Sequence, residues 1–325
     1  MKLAVLGAGA WGTAISISLA PRHAITLWAR DPQQANGIVT ARSNERYLPG
    51  FPLPATVAIT SQIEIALTDV ELVLVATTTA GLGEMLRHVG AQGTPVVWLC
   101  KGFDAASTQL PHQIAHHELP PQLPRAVLSG PSFAQEVAQG LPTALTLASE
   151  DFDFAKRIAC KLHHDRLRVY SADDIIGIEV AGAVKNVIAI AAGISDGLGL
   201  GYNARAALIT RGLAEITRFG LKLGGRLETF MGLAGVGDLV LTCTGELSRN
   251  RNVGLGLAQG MALPSILGSL GHVAEGVYTA RVVNRLAREL GVEMPITRAV
   301  CRVMDEGAAP RVAVQELLAR DPKSE

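Results

Sequence analysis

The sequence feature that most constrains the fold is a glycine-rich turn directly after the first apolar run of the chain. Residues 3–6 (LAVL) lead into residues 7–12 (GAGAWG), a helix-compatible stretch follows, and a second apolar run begins near residue 25. A strand, a GxGxxG turn, a helix and a second strand in this order are typical of a dinucleotide-binding unit. The turn lets the backbone approach a pyrophosphate, and the N-terminus of the helix supplies free N–H groups to it. The sequence therefore predicts a dinucleotide site at residues 7–12.

The pattern of apolar runs predicts the fold class. Further short runs lie at residues 25–28, 72–75, 96–99, 126–128 and 144–147, and each is continuous rather than alternating. Continuous runs are typical of parallel strands that are buried on both faces. We therefore predict an α/β fold with a doubly wound Rossmann-type N-terminal domain over residues 1–172. From about Asp173 the apolar spacing becomes helical, which predicts an all-helical substrate and catalytic domain over residues 173–325.

Composition excludes several classes of protein. The 325 residues carry 29 Lys plus Arg and 29 Asp plus Glu, and this zero net charge argues against a nucleic-acid partner or an anionic membrane surface. We expect that no stretch beyond residues 3–21 approaches the roughly 20 mostly apolar residues of a membrane span. The four cysteines form no CxxC pair, which favours reduced thiols and a cytoplasmic protein.

Two local patterns add expectations about the backbone. The chain has 34 glycines, and the excess over an average composition is concentrated at residues 7–12, 193–201 and 232–237, where we expect close approach to phosphates or sharp turns. The proline-rich stretch at residues 48–54 is expected to be a surface loop.

The end of the second strand bears on the choice of cofactor. An acidic residue there binds the ribose 2′-OH of NAD, whereas an arginine accommodates the 2′-phosphate of NADP. Arg30 lies 21 residues after Gly9 and favours NADP, while the adjacent Asp31 leaves NAD open. Arg30 as a solvated loop charge is the alternative.

Lys185 is the first candidate for chemistry in the second half. It lies among Ala, Val and Ile in a helical segment, where burial can lower the pKa of a lysine toward the range useful for proton transfer. A snorkelling or salt-bridged lysine is the alternative reading of the same pattern. His112 and His116 have the i, i+4 spacing of metal ligands, but there is no HExxH order or cysteine partner, and we predict no metal site.

The string around Lys185 is one of nine sequence blocks that are spread over nearly the whole chain. These blocks are residues 7–12 (GAGAWG), 100–103 (CKGF), 129–134 (SGPSFA), 182–189 (GAVKNVIA), 193–203 (GISDGLGLGYN), 232–239 (GLAGVGDL), 242–244 (TCT), 248–252 (SRNRN) and 273–276 (VAEG). Together they resemble the signature of the bacterial NAD(P)-dependent sn-glycerol-3-phosphate dehydrogenases.

The resemblance implies a reversible hydride transfer between NAD(P)H and dihydroxyacetone phosphate that gives sn-glycerol 3-phosphate, a precursor for phospholipid synthesis. It implies NADP or NAD as cofactor, with NADPH favoured by Arg30, and a homodimer. It assigns catalysis to Lys185, the proton donor and acceptor, and to Asp238. The substrate-binding residues are Lys101, Gly130, Ser132, Lys185, Asn186, Asp238, Thr242, Ser248, Arg249 and Asn250. The cofactor-binding residues are Gly7, Gly9, Ala10, Trp11, Gly12, Arg30, Lys101, Ala134, Arg249, Val273 and Glu275.

The chain departs from the family pattern at two places, and two alternative functions stay open. Ala10 stands where many relatives carry serine, and residues 76–79 (ATTT) replace a Val-Pro-Ser type of turn. A related two-domain hydroxy-acid dehydrogenase is one alternative, which the phosphate-binding pair Arg249 and Asn250 argues against. A non-catalytic dinucleotide-sensing module is the other, and Lys185 together with Asp238 argues against it.

Overall fold

The chain forms two compact units in the computed structural model, which describes residues 1–270 and 274–320. The first unit ends at Ile175 and the second begins at Ile176. The first is built on a β-sheet and the second is helical.

The first unit alternates strands and helices along the chain. Its strands are β1 (Lys2–Leu6), β2 (Ala24–Trp28), β3 (Ser43–Asn44), β4 (Leu48–Pro52), β5 (Ala58–Thr60), β6 (Leu72–Val75), β7 (Val96–Trp98), β8 (Arg125–Ser129), β9 (Thr143–Ala148) and β10 (Leu167–Ala172). Its helices are α1 (Ala10–Leu19), α2 (Pro32–Ala41), α3 (Ile63–Ala66), α4 (Leu82–Gln92), α5 (Pro111–Glu118), α6 (Ala134–Ala138) and α7 (Phe152–Leu162), with a 3₁₀ turn at Thr79–Gly81.

A single eight-stranded sheet organises the first unit. Its order is β10-β9-β8-β7-β6-β1-β2-β5, and neighbouring strands are parallel except for the antiparallel pair β8 and β9. Strand β1 pairs with β2 on one side and β6 on the other, so the strand order reverses at β1. Ligands of doubly wound sheets bind at the carboxyl ends of the strands at such a switch point. The predicted Rossmann-type sheet is confirmed.

The proline-rich stretch is not the plain loop that we expected. Leu48–Pro52 forms β4, which pairs antiparallel with β3 in a small separate sheet, with Asn44 opposite Leu48. Prolines are tolerated there because an edge strand does not use every N–H group. The loop prediction for residues 48–54 is therefore wrong over this strand.

The second unit is helical throughout the residues that the structure describes, as predicted. A π-helical segment at Leu233–Gly237 precedes α11. The helices are α8 (Ile175–Gly197), α9 (Gly201–Lys222), α10 (Leu227–Phe230), α11 (Asp238–Thr244), α12 (Arg249–Ala258), α13 (Leu263–Leu270), α14 (Glu275–Glu289), α15 (Pro295–Asp305) and α16 (Pro310–Leu318).

Helix α8 is the core helix of this unit. Its most apolar window is 89% buried, although its length and composition are those of a membrane span, and Leu227–Thr244 passes the same test with 39% buried. The expectation that no stretch of the chain approaches a membrane span is thus wrong by length and composition. Burial within the protein accounts for the apolar surface of α8.

Helices α8 and α12 cross in direct backbone contact. A Cβ atom added at Gly193 would lie 2.0 Å from the carbonyl oxygen of Arg251, and one added at Gly254 would lie 2.0 Å from that of Ile190. Gly193 therefore serves helix packing, not a turn or a phosphate as we expected. The expected sharp turn is found after it, where Gly199 and Gly201 have positive φ.

Candidate active site

The glycine turn joins β1 to α1 in a shape that its own atoms enforce. Gly7 has a φ of +120°, and a Cβ atom there would lie 2.8 Å from the carbonyl oxygen of Ala76. A Cβ atom at Gly12 would lie 1.9 Å from the carbonyl oxygen of Gly7. A Cβ atom at Gly9 would meet no protein atom within 4 Å, and no side chain caps the N-terminus of α1 there. The turn thus fits a dinucleotide, because its open position and the N–H groups of the first helical turn suit a pyrophosphate.

The helix N-termini beside this turn bring three more of the predicted cofactor residues together. Ala10 and Trp11 begin α1, and Ala134 begins α6. All three pack against one small apolar cluster that includes Ala14 and Val137.

At the end of β2, both carboxylate oxygens of Asp31 are engaged. One accepts a hydrogen bond from the backbone N–H of Gln33 at 2.9 Å and so caps α2. The other lies 3.8 Å from a guanidinium nitrogen of Arg46, whose side chain stacks on the ring of Tyr47. Arg30 is exposed next to this group. Two arginines therefore flank the acidic residue that would otherwise bind a ribose hydroxyl.

Lys101, Gly130 and Ser132 meet at the carboxyl edge of the sheet. Lys101 follows β7 and Gly130 follows β8, and these strands are parallel neighbours. The ammonium group of Lys101 donates to the carbonyl oxygen of Gly130 at 3.1 Å, and the hydroxyl of Ser132 donates to the same oxygen at 2.9 Å. The predicted lysine is therefore fixed at the edge where ligands bind in such sheets.

Lys185 of α8 forms a buried ion pair in the second unit. Its Nζ lies 2.5 Å from Oδ1 of Asp238, and the two side chains are 7% and 1% exposed. Nζ also donates to the hydroxyl of Thr242 at 3.0 Å, and that hydroxyl donates to the backbone carbonyl of Asp238 at 2.6 Å. The lysine therefore has a fixed direction and a carboxylate partner.

Local backbone geometry presents the partners of Lys185. The π-helical segment Leu233–Gly237 ends at Asp238, which is the first residue of α11, and Thr242 lies one turn later. Such π-turns are frequent at functional sites. Burial raises the pKa of the neighbouring Cys243 thiol to about 12, so this cysteine stays protonated and is no nucleophile at neutral pH.

The two predicted asparagines connect three helices. Nδ2 of Asn250 on α12 donates to Oδ1 of Asn186 on α8 at 3.0 Å, and Oδ1 of Asn250 accepts from the N–H of Gly276 in α14 at 3.0 Å. Ser248 caps α12 by accepting from the N–H of Arg251 at 3.3 Å, and Arg249 is exposed at the first helical position. The start of α12 thus offers a guanidinium and a helix N-terminus, both suited to a phosphate.

A second, partly buried ion cluster joins α8, α9 and α12. Oδ1 of Asp196 in α8 lies 2.7 Å from both Nε and Nη2 of Arg205 in α9. Oδ2 of Asp196 lies 2.8 Å from both Nε and Nη2 of Arg251 in α12. The sequence analysis did not single out any of these three residues.

The remaining predicted residues are placed as follows. Glu275 is half-buried at the first position of α14, and Val273 lies outside the described residues.

The histidine pair that has the spacing of metal ligands has another partner. Nε2 of His116 lies 3.1 Å from a carboxylate oxygen of Glu150. Over residues 1–270 and 274–320, no three His, Cys, Asp or Glu side chains converge as metal ligands would.

Two protein-family models match the chain. The model of the NAD-dependent glycerol-3-phosphate dehydrogenase N-terminus matches residues 2–155, and that of the C-terminus of the same enzymes matches residues 174–315. The chain belongs to the NAD-dependent glycerol-3-phosphate dehydrogenase family. The resemblance drawn from the sequence blocks is thereby confirmed.

Individual members of the family match along their whole length. The chain is 59% identical to the glycerol-3-phosphate dehydrogenase [NAD(P)+] of Nitrosospira multiformis and 56% identical to that of Dechloromonas aromatica, each over 100% of this chain and 99% of the relative. Its structure matches the crystal structure of glycerol-3-phosphate dehydrogenase from Coxiella burnetii with a TM-score of 0.93 and 43% identity, over 98% of this chain and 99% of the other.

In this member of the family, the predicted residues form distinct groups. The first unit carries the glycine turn, with Trp11 and Ala134 nearby, and the set of Lys101, Gly130 and Ser132. The second unit carries Lys185 with Asp238 and Thr242, and Asn186 with Asn250 beside Ser248 and Arg249. Sequence reasoning missed Arg46 and the Asp196 cluster, because their partners are distant in sequence. One signal for Asp196 was available, since it is an acidic residue near the end of a mostly apolar helix.

Proposed function

We propose that the chain catalyses the reversible reduction of dihydroxyacetone phosphate to sn-glycerol 3-phosphate with NAD(P)H. The observation that carries this proposal is the buried pair of Lys185 and Asp238, with Thr242 as a third partner of the lysine. A structural ion pair needs no hydroxyl and no preceding π-turn, whereas a proton-transfer group needs a fixed direction. The supporting comparison is the family to which the chain belongs.

Each unit has its own part in this proposal. Residues 1–172 bind the dinucleotide, and residues 173–325 bind the substrate and carry the acid–base group. Bound NAD(P)H supplies a hydride for the carbonyl carbon of the substrate. Lys185 gives a proton from Nζ to the carbonyl oxygen during reduction and takes it back during oxidation.

Asp238 and Thr242 hold the ammonium group for this transfer. The carboxylate stabilises the charged lysine, and the hydroxyl fixes the direction of Nζ. Once the proton has left, a neutral amine next to a carboxylate readily regains it, which suits a group that acts in both directions. Asn186 and Asn250 supply amide groups beside this pair for the hydroxyl oxygens of the substrate.

Arg249 is the principal phosphate ligand in this proposal. A guanidinium forms two parallel hydrogen bonds with a phosphate and keeps its charge at neutral pH. Ser248 and Asn250 flank it at the start of α12, whose dipole favours an anion. This group favours a phosphorylated substrate over a simple hydroxy acid.

The cofactor residues of the first unit fall into three roles. Gly7, Gly9 and Gly12 form the turn that admits the pyrophosphate, with Ala10, Trp11 and Ala134 packed beside it. Lys101 contacts both cofactor and substrate, with Gly130 and Ser132 as its neighbours. Arg249 also contacts the cofactor, as do Val273 and Glu275 near the nicotinamide.

NADPH is the preferred cofactor in this proposal. Asp31 already holds the N–H of Gln33 and faces Arg46, so its carboxylate is poorly placed to select a ribose 2′-OH. Arg30 and Arg46 offer positive charge to a 2′-phosphate at the same strand end. The protein works in the cytoplasm as a homodimer, without nucleic-acid or membrane partners, and its product serves phospholipid synthesis.

A substrate panel tests the proposed reaction. The purified protein should oxidise NADPH when dihydroxyacetone phosphate is added, and the product should be the sn-3 phosphate of glycerol. Dihydroxyacetone without the phosphate should be a much poorer substrate. Faster turnover of a 2-keto acid would instead support a hydroxy-acid dehydrogenase, and absence of turnover with NADPH and NADH would support a sensing module.

A further inference from the structure

We propose that Asp196 is a positioning residue for the phosphate of the substrate, an inference that rests on the proposed function. Its carboxylate receives four N···O contacts of 2.7–2.8 Å, two from Arg205 and two from Arg251. The Asp196 side chain is 7% exposed, so these contacts are little screened by water. Three helices are joined at this one carboxylate.

Arg251 transmits this restraint to the phosphate-binding turn. It follows Arg249 and Asn250 in the first turn of α12, and its backbone N–H donates to the capping hydroxyl of Ser248 at 3.3 Å. Its carbonyl oxygen lies against Gly193 of α8, where a Cβ atom would come within 2.0 Å. Its side chain is held by Asp196. Arg251 is thus fixed at its N–H, its carbonyl and its guanidinium, and the neighbouring Arg249 inherits a defined backbone position.

The position of Arg251, not the charge of the cluster, carries this role. One carboxylate holds two guanidinium groups, so the loss of its charge leaves more positive charge near the start of α12 but releases Arg251. The charge change alone favours an anion, so weaker phosphate binding in such a variant would come from the lost position. Helix α8 also carries Lys185 and Asn186, so the phosphate-binding turn and the proton-transfer group share one rigid support.

The substitution Asp196→Asn tests the proposal, because it keeps the shape of the side chain and removes its charge. We expect the KM for dihydroxyacetone phosphate to rise about 10- to 100-fold, while kcat changes less than about threefold. The Kd of NADPH should rise much less than this KM, because residues of the first unit bind most of the cofactor in the proposed function. The kcat/KM for dihydroxyacetone, which has no phosphate, should equal that of the wild type.

Two further variants keep the test independent of folding. Arg205→Gln removes half of the cluster without altering α12, and we expect a smaller rise in the same KM. Asp305→Asn is the matched control, since Asp305 also pairs with a guanidinium, that of Arg281, on other helices of the same unit. It should leave the KM unchanged.

The outcomes separate this proposal from the proposed function. If wild-type protein reduces dihydroxyacetone phosphate but the Asp196 and Arg205 variants keep its KM, the positioning role is overturned and the proposed function stands. An equal loss of kcat/KM with the phosphorylated and the phosphate-free substrate would assign Asp196 to general stability and also overturn the role. An inactive wild-type protein would overturn both proposals.

Discussion

At the scale of single residues, the glycine turn separates two physical reasons for a glycine. Gly7 and Gly12 are required by the protein itself, because a Cβ atom at either would collide with backbone. Gly9 is free of such contacts within the protein. The absence of a side chain at Gly9 therefore has its reason in the ligand that approaches the turn.

This difference predicts opposite behaviour of two alanine variants. Gly9→Ala should keep the free energy of unfolding within about 1 kcal/mol of the wild type, because the added Cβ atom meets no protein atom and alanine in place of glycine at an N-cap costs no more than about this amount. Its Kd for NADPH should rise about 10- to 100-fold, since the methyl group blocks the pyrophosphate. Gly12→Ala should lower the unfolding free energy by about 2 kcal/mol or more. Fluorescence titration and urea unfolding measure both, and unchanged NADPH affinity of folded Gly9→Ala would exclude a pyrophosphate at this turn.

The two arginines beside Asp31 predict the cofactor preference. Arg30→Gln and Arg46→Gln should each lower kcat/KM for NADPH about 10-fold, because each removes one charge from the 2′-phosphate. The value for NADH should change less than about twofold. Arg87→Gln is the matched control, as Arg87 is an exposed arginine that pairs with Glu118 elsewhere in the first unit. Equal losses with the two cofactors would show that these arginines do not select NADPH.

At the scale of elements, the crossing of α8 and α12 determines how the substrate residues are held. Glycines at the crossing let the helix backbones touch, so Lys185 and Asn186 on one helix keep a fixed distance to Asn250 on the other. Small residues at such a contact permit an approach that larger side chains would prevent.

Alanine scanning of glycines tests the crossing. Gly254→Ala should lower the free energy of unfolding by about 1 to 3 kcal/mol, because its Cβ would lie 2.0 Å from the carbonyl oxygen of Ile190. Gly268→Ala in α13 is the control, since a Cβ atom there meets nothing within 4 Å. Because alanine has a higher helix propensity than glycine, this control variant should have an unfolding free energy about 0.5 to 1 kcal/mol above that of the wild type. A Gly254→Ala variant as stable as wild type would contradict the close crossing.

A buried carboxyl group predicts a pH dependence of the helical unit. Glu215 of α9 accepts hydrogen bonds from the N–H groups of Ile296 and Thr297 at the start of α15, at 2.6 and 3.2 Å. Burial nevertheless raises the pKa of Glu215 to about 7. Because this is above the value in the unfolded chain, about 4.3, the group stabilises the fold at low pH and loses that contribution as the pH rises through 7.

The variant Glu215→Gln isolates this contribution. Between pH 5 and 8, the wild type should lose on the order of 2 to 3 kcal/mol of unfolding free energy relative to the variant. Urea unfolding at several pH values measures the difference. Parallel pH profiles of the two proteins would mean that Glu215 keeps an ordinary pKa.

At the scale of the whole molecule, the sequence patterns identify the strands that are buried on both faces and miss the edges. The runs at residues 72–75 and 96–99 are fully apolar, and they correspond to the central strands β6 and β7. The apolar pattern does not predict the edge strands β5 and β10, because β5 is only three residues long and β10 carries polar residues such as Arg168 and Ser171. The antiparallel pairing of β8 with β9 was also hidden, since residues 144–147 have the same apolar pattern as a parallel strand.

The candidate site follows the same division between local and distant information. The glycine turn is contained in one short motif, so the sequence alone predicts it. Lys185 was singled out by its apolar surroundings, but its partner Asp238 came from the family resemblance. The Asp196 cluster joins side chains that are 9 and 55 residues apart, so only the packing of three helices reveals it.

The measurement that tests the central claim most directly compares wild-type protein with Lys185→Met in the reduction of dihydroxyacetone phosphate by NADPH. The wild type should consume NADPH only when the phosphorylated ketone is present. The variant should lose about 10²- to 10⁴-fold in kcat, because no group replaces the proton donor, and should bind NADPH with unchanged Kd. A variant that retains its kcat, or a wild type that consumes no NADPH, would contradict the account.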